Sequence, residues 1–318
     1  MNTLKGFSII ICCYNSARIL PVTLGYLANL ISPEGWAVEV ILIDNCCTDN
    51  TSSVAREVWE ENNSPFKLYI IKEKPPGLSA ARVRGIEAAR YDYLVFCDDD
   101  NFLNKDYLLV ASNILFENES IGALGGYAKP VQQNIPSYWP GDFNIYGCGP
   151  QAEQSGKTMI LHGAGIIIKK DAFTKLKMVG FNFMLSDRKG DKLSSGGDYE
   201  LCYAVALTGY DVWYEASLKF SHFIEESRFS WEYCKRFIRE SAPALDVLEV
   251  YRYCFIDGER RLILFYFYCL KMLSFHIYKV FHSCKIRYQY RHDQQIRFLE
   301  NFHLRFHIER IKSIIRNT

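Results

Sequence analysis

Leu94-Val95-Phe96-Cys97-Asp98-Asp99-Asp100-Asn101 is the stretch on which the reading of this chain turns. Leu94 to Cys97 form a short apolar run bounded by turn formers, which predicts a strand covered on both faces. Three consecutive carboxylates at its end repel one another, at a cost in free energy unless a cation relieves it. Oxygen ligands of this kind select a hard ion, Mg2+ or Mn2+, with phosphate oxygens completing the shell. Asp98 and Asp100 stand two residues apart and leave the same face of an extended chain. A solvated acidic turn is the plain alternative. Placement at a strand end, where open α/β sheets bind their ligands, favours a site.

Before this stretch the pattern alternates. Phe7 to Cys13 reads as a buried strand and Tyr14-Asn15-Ser16 as the start of a helix, with Pro21 in its first turns. Leu20, Leu24, Leu27 and Ile31 recur at helical spacing. Val38 to Ile43 predicts a second strand ending at Asp44-Asn45, and Thr48-Asp49-Asn50-Thr51 opens a helix to about Asn62. A third strand is expected over Phe66–Ile71 and a third helix over Leu78–Arg90. Strand and helix alternating in this way imply a mostly parallel sheet flanked by helices, an α/β fold. No G-x-G-x-x-G follows the first strand, so a dinucleotide-binding unit is excluded and a diphosphate would have to be held elsewhere.

The chain has 318 residues, 49% of them apolar and 23% charged, the composition of an ordinary globular protein. Its net charge of +1 hides an asymmetry: residues 251–318 carry 13 Lys and Arg against five acids, a net +8 that leaves −7 on residues 1–250. A basic end on an acidic body suggests a tail that meets an anionic surface. An acidic body without a nucleic-acid motif argues against a nucleic-acid partner. Eleven cysteines with no paired CxxC spacing point to reduced thiols, and the Phe7–Cys13 run is too short for a signal-peptide core. Both features predict a cytoplasmic body.

Several ordered stretches resemble the family 2 glycosyltransferases of bacterial surface-polysaccharide synthesis, which have the GT-A fold. They are Ser8 to Asn15, Ile43 to Thr51, Gly77 to Arg82, Asp98 to Asp100, Gly196-Gly197-Asp198-Tyr199-Glu200-Leu201, and His222. The resemblance covers roughly residues 7–235. It implies a catalytic domain over 1–240, to which the charge and aromatic pattern adds a basic amphipathic helical tail over 241–318. Asp44 would accept a hydrogen bond from the nucleotide base, most often uracil, and Asn15 would border the ribose. Arg82 would lie near the diphosphate, Asp98 and Asp100 would hold Mn2+ or Mg2+, and Asp99 would support that geometry or touch the ribose. His222 would supply a third metal ligand or contact the diphosphate, and Asp198 would be the general base. The alternatives for these positions are bland: a turn role for Asp44, a surface helix for Arg82, a helix cap for Asp198, a structural role for His222. Glu200 is the second candidate base.

The chain departs from the family in three places. Asp44-Asn45-Cys46-Cys47 stands where Asp-Asp-Gly-Ser is common, so the tight glycine turn is expected to be lost. Val83 replaces the Asn after the arginine, and Gly197 replaces the Glu before Asp198.

The resemblance thus implies an inverting, metal-dependent enzyme. It would move a sugar from a nucleotide-diphosphate donor, UDP in the first place, to a glycan or lipid-linked acceptor. A catalytically silent sugar-nucleotide or glycan-binding module and a nucleotidyltransferase are the competing classes. Gly163-Ala164-Gly165 reads as a glycine-opened strand with close backbone approach. Residues 127–162 and the polar stretch 186–197 read as loops that shape a site. Leu262 to Ser283 is long enough to span a membrane, but Lys271, His276 and Lys279 argue for an interfacial helix instead. The expected location is peripheral, at the cytoplasmic face of the membrane, with a helical cap or dimer contact as the alternative for the tail.

Overall fold

The computed structural model describes residues 4–132, 134–139, 141, 144–185, 187–188, 193–256 and 262–317. Ser186 and residues 189–192 of the polar loop, and Pro140 of the aromatic loop, lie outside them. The chain divides into two compact units.

The first unit comprises residues 1–131, 143–183 and 197–224. It opens with β1 (Leu4–Cys13), α1 (Leu20–Ala28), β2 (Ala37–Asn45), α2 (Thr51–Glu61), β3 (Lys67–Glu73), α3 (Leu78–Ala88) and β4 (Tyr91–Phe96). The four strands are parallel, in the order β3-β2-β1-β4. Ile9, Ile10 and Ile11, like Leu94, Val95 and Phe96, are at most 2% exposed, as strands covered on both faces require. Burial of each such side chain contributes roughly 1.5–3 kcal/mol. Ile10, Ile41, Ile43 and Phe96 share one face with Ala81 and Ala89 from the α3 segment.

The second half of this unit adds β5 (Asn101–Leu103), α4 (Tyr107–Glu117), β6 (Ile121–Gln132), β7 (Gly156–Thr158), β8 (Ile167–Lys169), α5 (Lys170–Met178), α6 (Gly197–Leu207) and β9 (Asp211–Ile224). Here β8 runs antiparallel to β4, and the sheet continues through β6 and β9 to β5, with β7 also on β9. The strand order turns back between β1 and β4, which makes the carboxyl ends of these two strands the switch point of the sheet.

Two expectations change in detail. No side chain caps α1: it starts at Leu20 with Pro21 in its first turn, because Ser16 to Ile19 form a preceding turn. Ile31 lies beyond the end of that helix. The strand predicted from Gly163 is confined to Ile167–Lys169, since Gly165 takes a φ of +68° that breaks the extended run. The glycines do serve close approach: a Cβ on Gly165 would lie 2.8 Å from the Phe220 ring.

The second unit comprises residues 132–142, 184–196 and 225–318. Its helices are α7 (Trp231–Ser241), α8 (Ala244–Ile256), α9 (Leu262–Gln289) and α10 (Gln294–Asn317). Ser230 caps α7 by accepting from the Tyr233 amide. Helices α9 and α10 pack as a hairpin, with His276 and His307 in contact through their Nδ1 atoms at 2.7 Å. Trp139, Trp231 and Phe298 form an aromatic cluster within the same unit. Arg310, 2% exposed, donates to Asp246 Oδ1 at 2.5 Å and to the Ala242 carbonyl at 3.2 Å. No described helix is long and apolar enough to cross a membrane.

Candidate active site

Every residue singled out from the sequence as a site residue lies in the first unit. Asn15 and Ser16 follow β1, Asp44 ends β2, Asp98 to Asp100 follow β4, and Arg82 lies on α3. Asp198 begins α6, and His222 lies on β9 opposite Asn101.

The carboxylate stretch is a turn and not an extended chain. Asn101 N donates to the Asp98 carbonyl and Asp98 N to Asn101 Oδ1, both at 3.1 Å, with the Asn101 side chain fully buried. The expectation that Asp98 and Asp100 leave one face of a strand therefore lacks its geometric basis here. Asp99 ties the turn to the start of α1: its carboxylate accepts from Ser16 Oγ and its carbonyl from Thr23 Oγ1 at 2.5 Å. Asp100 is fixed by the Phe223 amide, which donates to its carbonyl at 2.9 Å.

Asp100 and His222 do meet. Asp100 Oδ1 lies 3.5 Å from His222 Nε2, and His222 Nδ1 lies 3.6 Å from the buried Cys148 thiol. Burial alone would depress the imidazole, but the Asp100 carboxylate and the Cys148 contact outweigh it and push its pKa up to about 10. The ring must release that proton before Nε2 can ligate an ion. Among the described residues no three His, Cys, Asp or Glu side chains form a group that could hold a metal ion by themselves. The Asp100–His222 pair still fits a hard ion: a separation of 3.5 Å leaves room for a cation about 2.1 Å from each. Mg2+ and Mn2+ sites of one or two protein ligands take their remaining oxygens from substrate phosphate and water.

The turns after β1 and β2 are stapled together. Asn15, at φ +55°, accepts on Oδ1 from the Thr48 amide at 2.7 Å and the Asp49 amide at 3.4 Å. Asp44 is 7% exposed and accepts from the Cys47 amide at 3.1 Å and Ser52 Oγ at 2.5 Å. Burial opposes its ionisation, but these hydrogen bonds and the charge of Lys72 prevail and hold its pKa below the usual carboxylate value. Each carboxylate oxygen can accept a further bond. The expected loss of the glycine turn does not occur. Cys46 itself adopts φ +62°, its thiol donating to the Lys74 carbonyl at 2.9 Å. A non-glycine residue in that conformation costs about 1–2 kcal/mol.

Arg82, Asp198 and Gly163 come together. Asp198 Oδ2 accepts from the Gly163 amide and Oδ1 from the Tyr199 amide, both at 2.9 Å. A Cβ on Gly163 would lie 2.9 Å from Arg82 Nη2 and 3.0 Å from Asp198 Cβ, so only glycine lets the guanidinium and the carboxylate approach from the two sides. Glu200, the second candidate base, is fully buried and withdrawn from any acceptor in solvent.

Three positioning residues escaped the sequence reading. Asn45, 5% exposed, donates to the Pro75 carbonyl and accepts from the Gly77 amide, fixing the turn from which α3 carries Arg82. Gln151 accepts from the His162 amide at 2.5 Å and donates to the Gly126 carbonyl at 2.7 Å, holding the segment that leads to Gly163. Cys148 orients His222. A strand-end Asn was the one available signal; Gln151 and Cys148 lie in loops without periodicity. A separate hollow of about 720 Å3, lined by Pro21, Tyr26, Asn29 and Lys105, contains none of the site residues.

Known proteins resemble this chain in sequence and in fold. The sequence profile of glycosyl transferase family 2 matches residues 8–177, more than half of the chain. A poly-beta-1,6-N-acetyl-D-glucosamine synthase of Staphylococcus epidermidis is 28% identical over 184 residues, covering 56% of this chain and 42% of that protein. The Staphylococcus aureus (strain COL) counterpart is 24% identical over 126 residues, 40% of this chain and 29% of its own length. The chain thus spans less than half the length of these curated relatives. Among solved structures, the mannosyltransferase PcManGT of Pyrobaculum calidifontis, in complex with GDP-Man and Mn2+, superposes with a TM-score of 0.60 at 16% identity. That match covers 99% of this chain and 74% of the other. TarS of S. aureus in complex with UDP-GlcNAc gives 0.52 at 15% identity, over 94% and 90% of the two chains. These structural likenesses show the fold, which is GT-A.

Proposed function

The chain belongs to glycosyl transferase family 2, and from that premise we propose that it transfers a sugar from a UDP-sugar to a hydroxyl of a glycan or lipid-linked acceptor, with inversion and with Mn2+ or Mg2+. The approach of Arg82 and Asp198 across Gly163, in the unit that carries the carboxylate turn at the switch point of the sheet, is the observation that carries this reading. Asp44 and Asn15 receive the uridine, Arg82 the diphosphate. Asp100 and His222 would hold the ion together with phosphate oxygens of the donor, Asp98 standing at the start of the same turn and Asp99 bracing it through Ser16 and Thr23. Asp198, kept by two backbone amides in an accepting orientation, takes the proton from the acceptor hydroxyl. The oxygen then bonds to the anomeric carbon as the bond to the diphosphate breaks on the opposite face. When bound, the divalent ion supplies Lewis-acid stabilisation of the charge that develops on the leaving diphosphate. Arg82 adds a charge-assisted contact to the same group.

The UDP donor finds support in the ligand of TarS, and the polysaccharide context in the named activity of the staphylococcal relatives. We assign catalysis to residues 1–240, with 241–318 as a tail that keeps the protein peripheral at the cytoplasmic face of a membrane. The test is turnover of a panel of UDP-sugars by wild type and Asp198→Asn. The variant is expected to retain donor affinity and lose turnover; a fully active variant would remove Asp198 from this role. Gly197, where the family commonly has Glu, favours a second reading as a donor-binding module. Metal-dependent donor binding without turnover on any acceptor would identify it.

A further inference from the structure

None of the residues assigned to donor chemistry lies on helix α9, whose composition is unusual. Over Leu262–Gln289 there is no Asp or Glu, while Lys271, Lys279, Lys285 and Arg287 give the helix a charge of +4. Phe267, Leu270, Ile277, Tyr278, Phe281 and Tyr288 are between 42% and 75% exposed. At 3.6 residues per turn these six fall within an arc of about 100°, running roughly 30 Å along the helix. The opposite side is closed: His276 and Ser283 are 4% and 3% exposed, with His276 against α10. An exposed, largely apolar strip of this size, in which only Ser274 and Lys285 among the described residues of the arc are polar, marks an interaction surface.

The strip ends in a basic hollow. Arg287, Arg291, His292 and Arg297, with Tyr288 and Cys284, line a concavity of about 600 Å3. Among the described residues, none of these three arginines forms an ion pair with a carboxylate. The nearby Asp293 turns its carboxylate to the Ile296 amide and serves as the cap of α10.

We propose that the exposed face of α9 lies on an anionic phospholipid bilayer, its aromatic side chains in the headgroup zone and a lipid phosphate seated in the hollow of Arg287, Arg291 and Arg297. Charge complementarity selects this occupant. Apolar side chains alone would suit a second copy of the chain, but apposing two α9 faces would bring two +4 helices together. A bilayer satisfies both features, since aromatic residues anchor in the interface while basic residues meet anionic headgroups. This extends the peripheral location proposed above to a specific face, and it is independent of the donor site.

The experiment is co-sedimentation of the full chain with vesicles of phosphatidylcholine, with and without phosphatidylglycerol. Wild type is expected to bind the anionic vesicles and to be released as salt is raised. A variant carrying Arg287→Gln, Arg291→Gln and Arg297→Gln should lose on the order of a hundred-fold in partitioning. Phe267→Ser with Phe281→Ser should lose at least about ten-fold. Circular dichroism and a retained uridine diphosphate thermal shift show that each variant is folded with an intact donor site, so that loss of vesicle binding belongs to α9 alone. Folded wild type that ignores anionic vesicles would overturn the proposal, as would binding unchanged in both variants. So would a dimer in sedimentation velocity that Phe267→Ser and Phe281→Ser abolish, which would give the face to a second copy.

Discussion

In the helical unit, Arg310 is buried against Asp246, which also accepts from Ser313, and the cluster closes on itself. At the amino ends of the sheet strands the same holds for Glu39. It is 1% exposed and satisfied by Ser8 Oγ at 2.7 Å and by Arg90 N and Nε, each at 2.8 Å. The carboxyl ends of the strands differ. There Asp99 braces, while Asp100 faces a histidine and Asp198 faces an arginine across a bare glycine. A buried charge whose partners all come from the protein holds a fold together. Like-charged groups gathered near a switch point, positioned by backbone amides at Asp100 and Asp198 and by hydroxyls at Asp99, are arranged for something that arrives from outside.

The comparison breaks first at the site. Asp198→Asn and Asp100→Asn should each lower turnover by about 10²–10⁴-fold while the protein melts near the wild-type temperature. A comparable loss of stability would class them with the closed pairs instead. Asp246→Ala should do the reverse. It leaves the buried Arg310 guanidinium only the Ala242 carbonyl and the more distant Glu249 and should cost about 3–5 kcal/mol in denaturant titration, with donor affinity kept in the folded protein. Gly163→Ala separates positioning from folding. Its Cβ must push Arg82 or Asp198 aside, and misplacement of about 1 Å costs on the order of 10²-fold in turnover.

A subtler contrast lies in pH. Burial, with neighbouring positive charge and the contact between the two rings, depresses His276 and His307 to about 4 each. Between that value and the unfolded pKa of about 6.5 the unfolded chain binds more protons, so stability rises with pH across this window. The stabilisation is complete above about 6.5 and is lost as pH falls toward 4. Denaturant midpoints from pH 7 to 4 should fall accordingly, and His307→Phe should flatten the slope. The smallest effect is expected at Cys46→Gly. Relief of the left-handed strain is offset by added freedom in the unfolded chain and by loss of the thiol contact to Lys74, leaving less than about 1 kcal/mol by calorimetry.

The first half of the sheet was legible because its signals are local. Continuous apolar runs at Phe7–Cys13 and Leu94–Cys97 can hardly be anything but buried strands, and the helices between them carry periodic apolar faces. Family resemblance supplied most of the candidate positions. The conformation of the carboxylate turn was not legible, because Asn101 closes it with a side-chain hydrogen bond that no periodicity reports. The Cys46 turn is hidden in the sequence for a related reason: a non-glycine residue holds φ above zero where the flanking Asn45 and Cys47 are hydrogen-bonded in place. Gln151 and Cys148 act from loops without periodicity, and Cys148 meets His222 from 74 residues away. Helix α9 was recognised as apolar and basic, but which side it buries depends on α10, and only the structure sorts His276 inward and Phe281 outward.

The most direct test of the account is a thermal-shift titration of wild type and Asp100→Asn with uridine diphosphate, with and without Mn2+. A ligand at 100 times its Kd adds about 2.7 kcal/mol to the folded state. The account predicts a clear shift for wild type only when nucleotide and metal are both present, and none for the variant. A shift in wild type that is independent of metal, or a variant that responds as wild type does, would contradict the placement of the ion at Asp100.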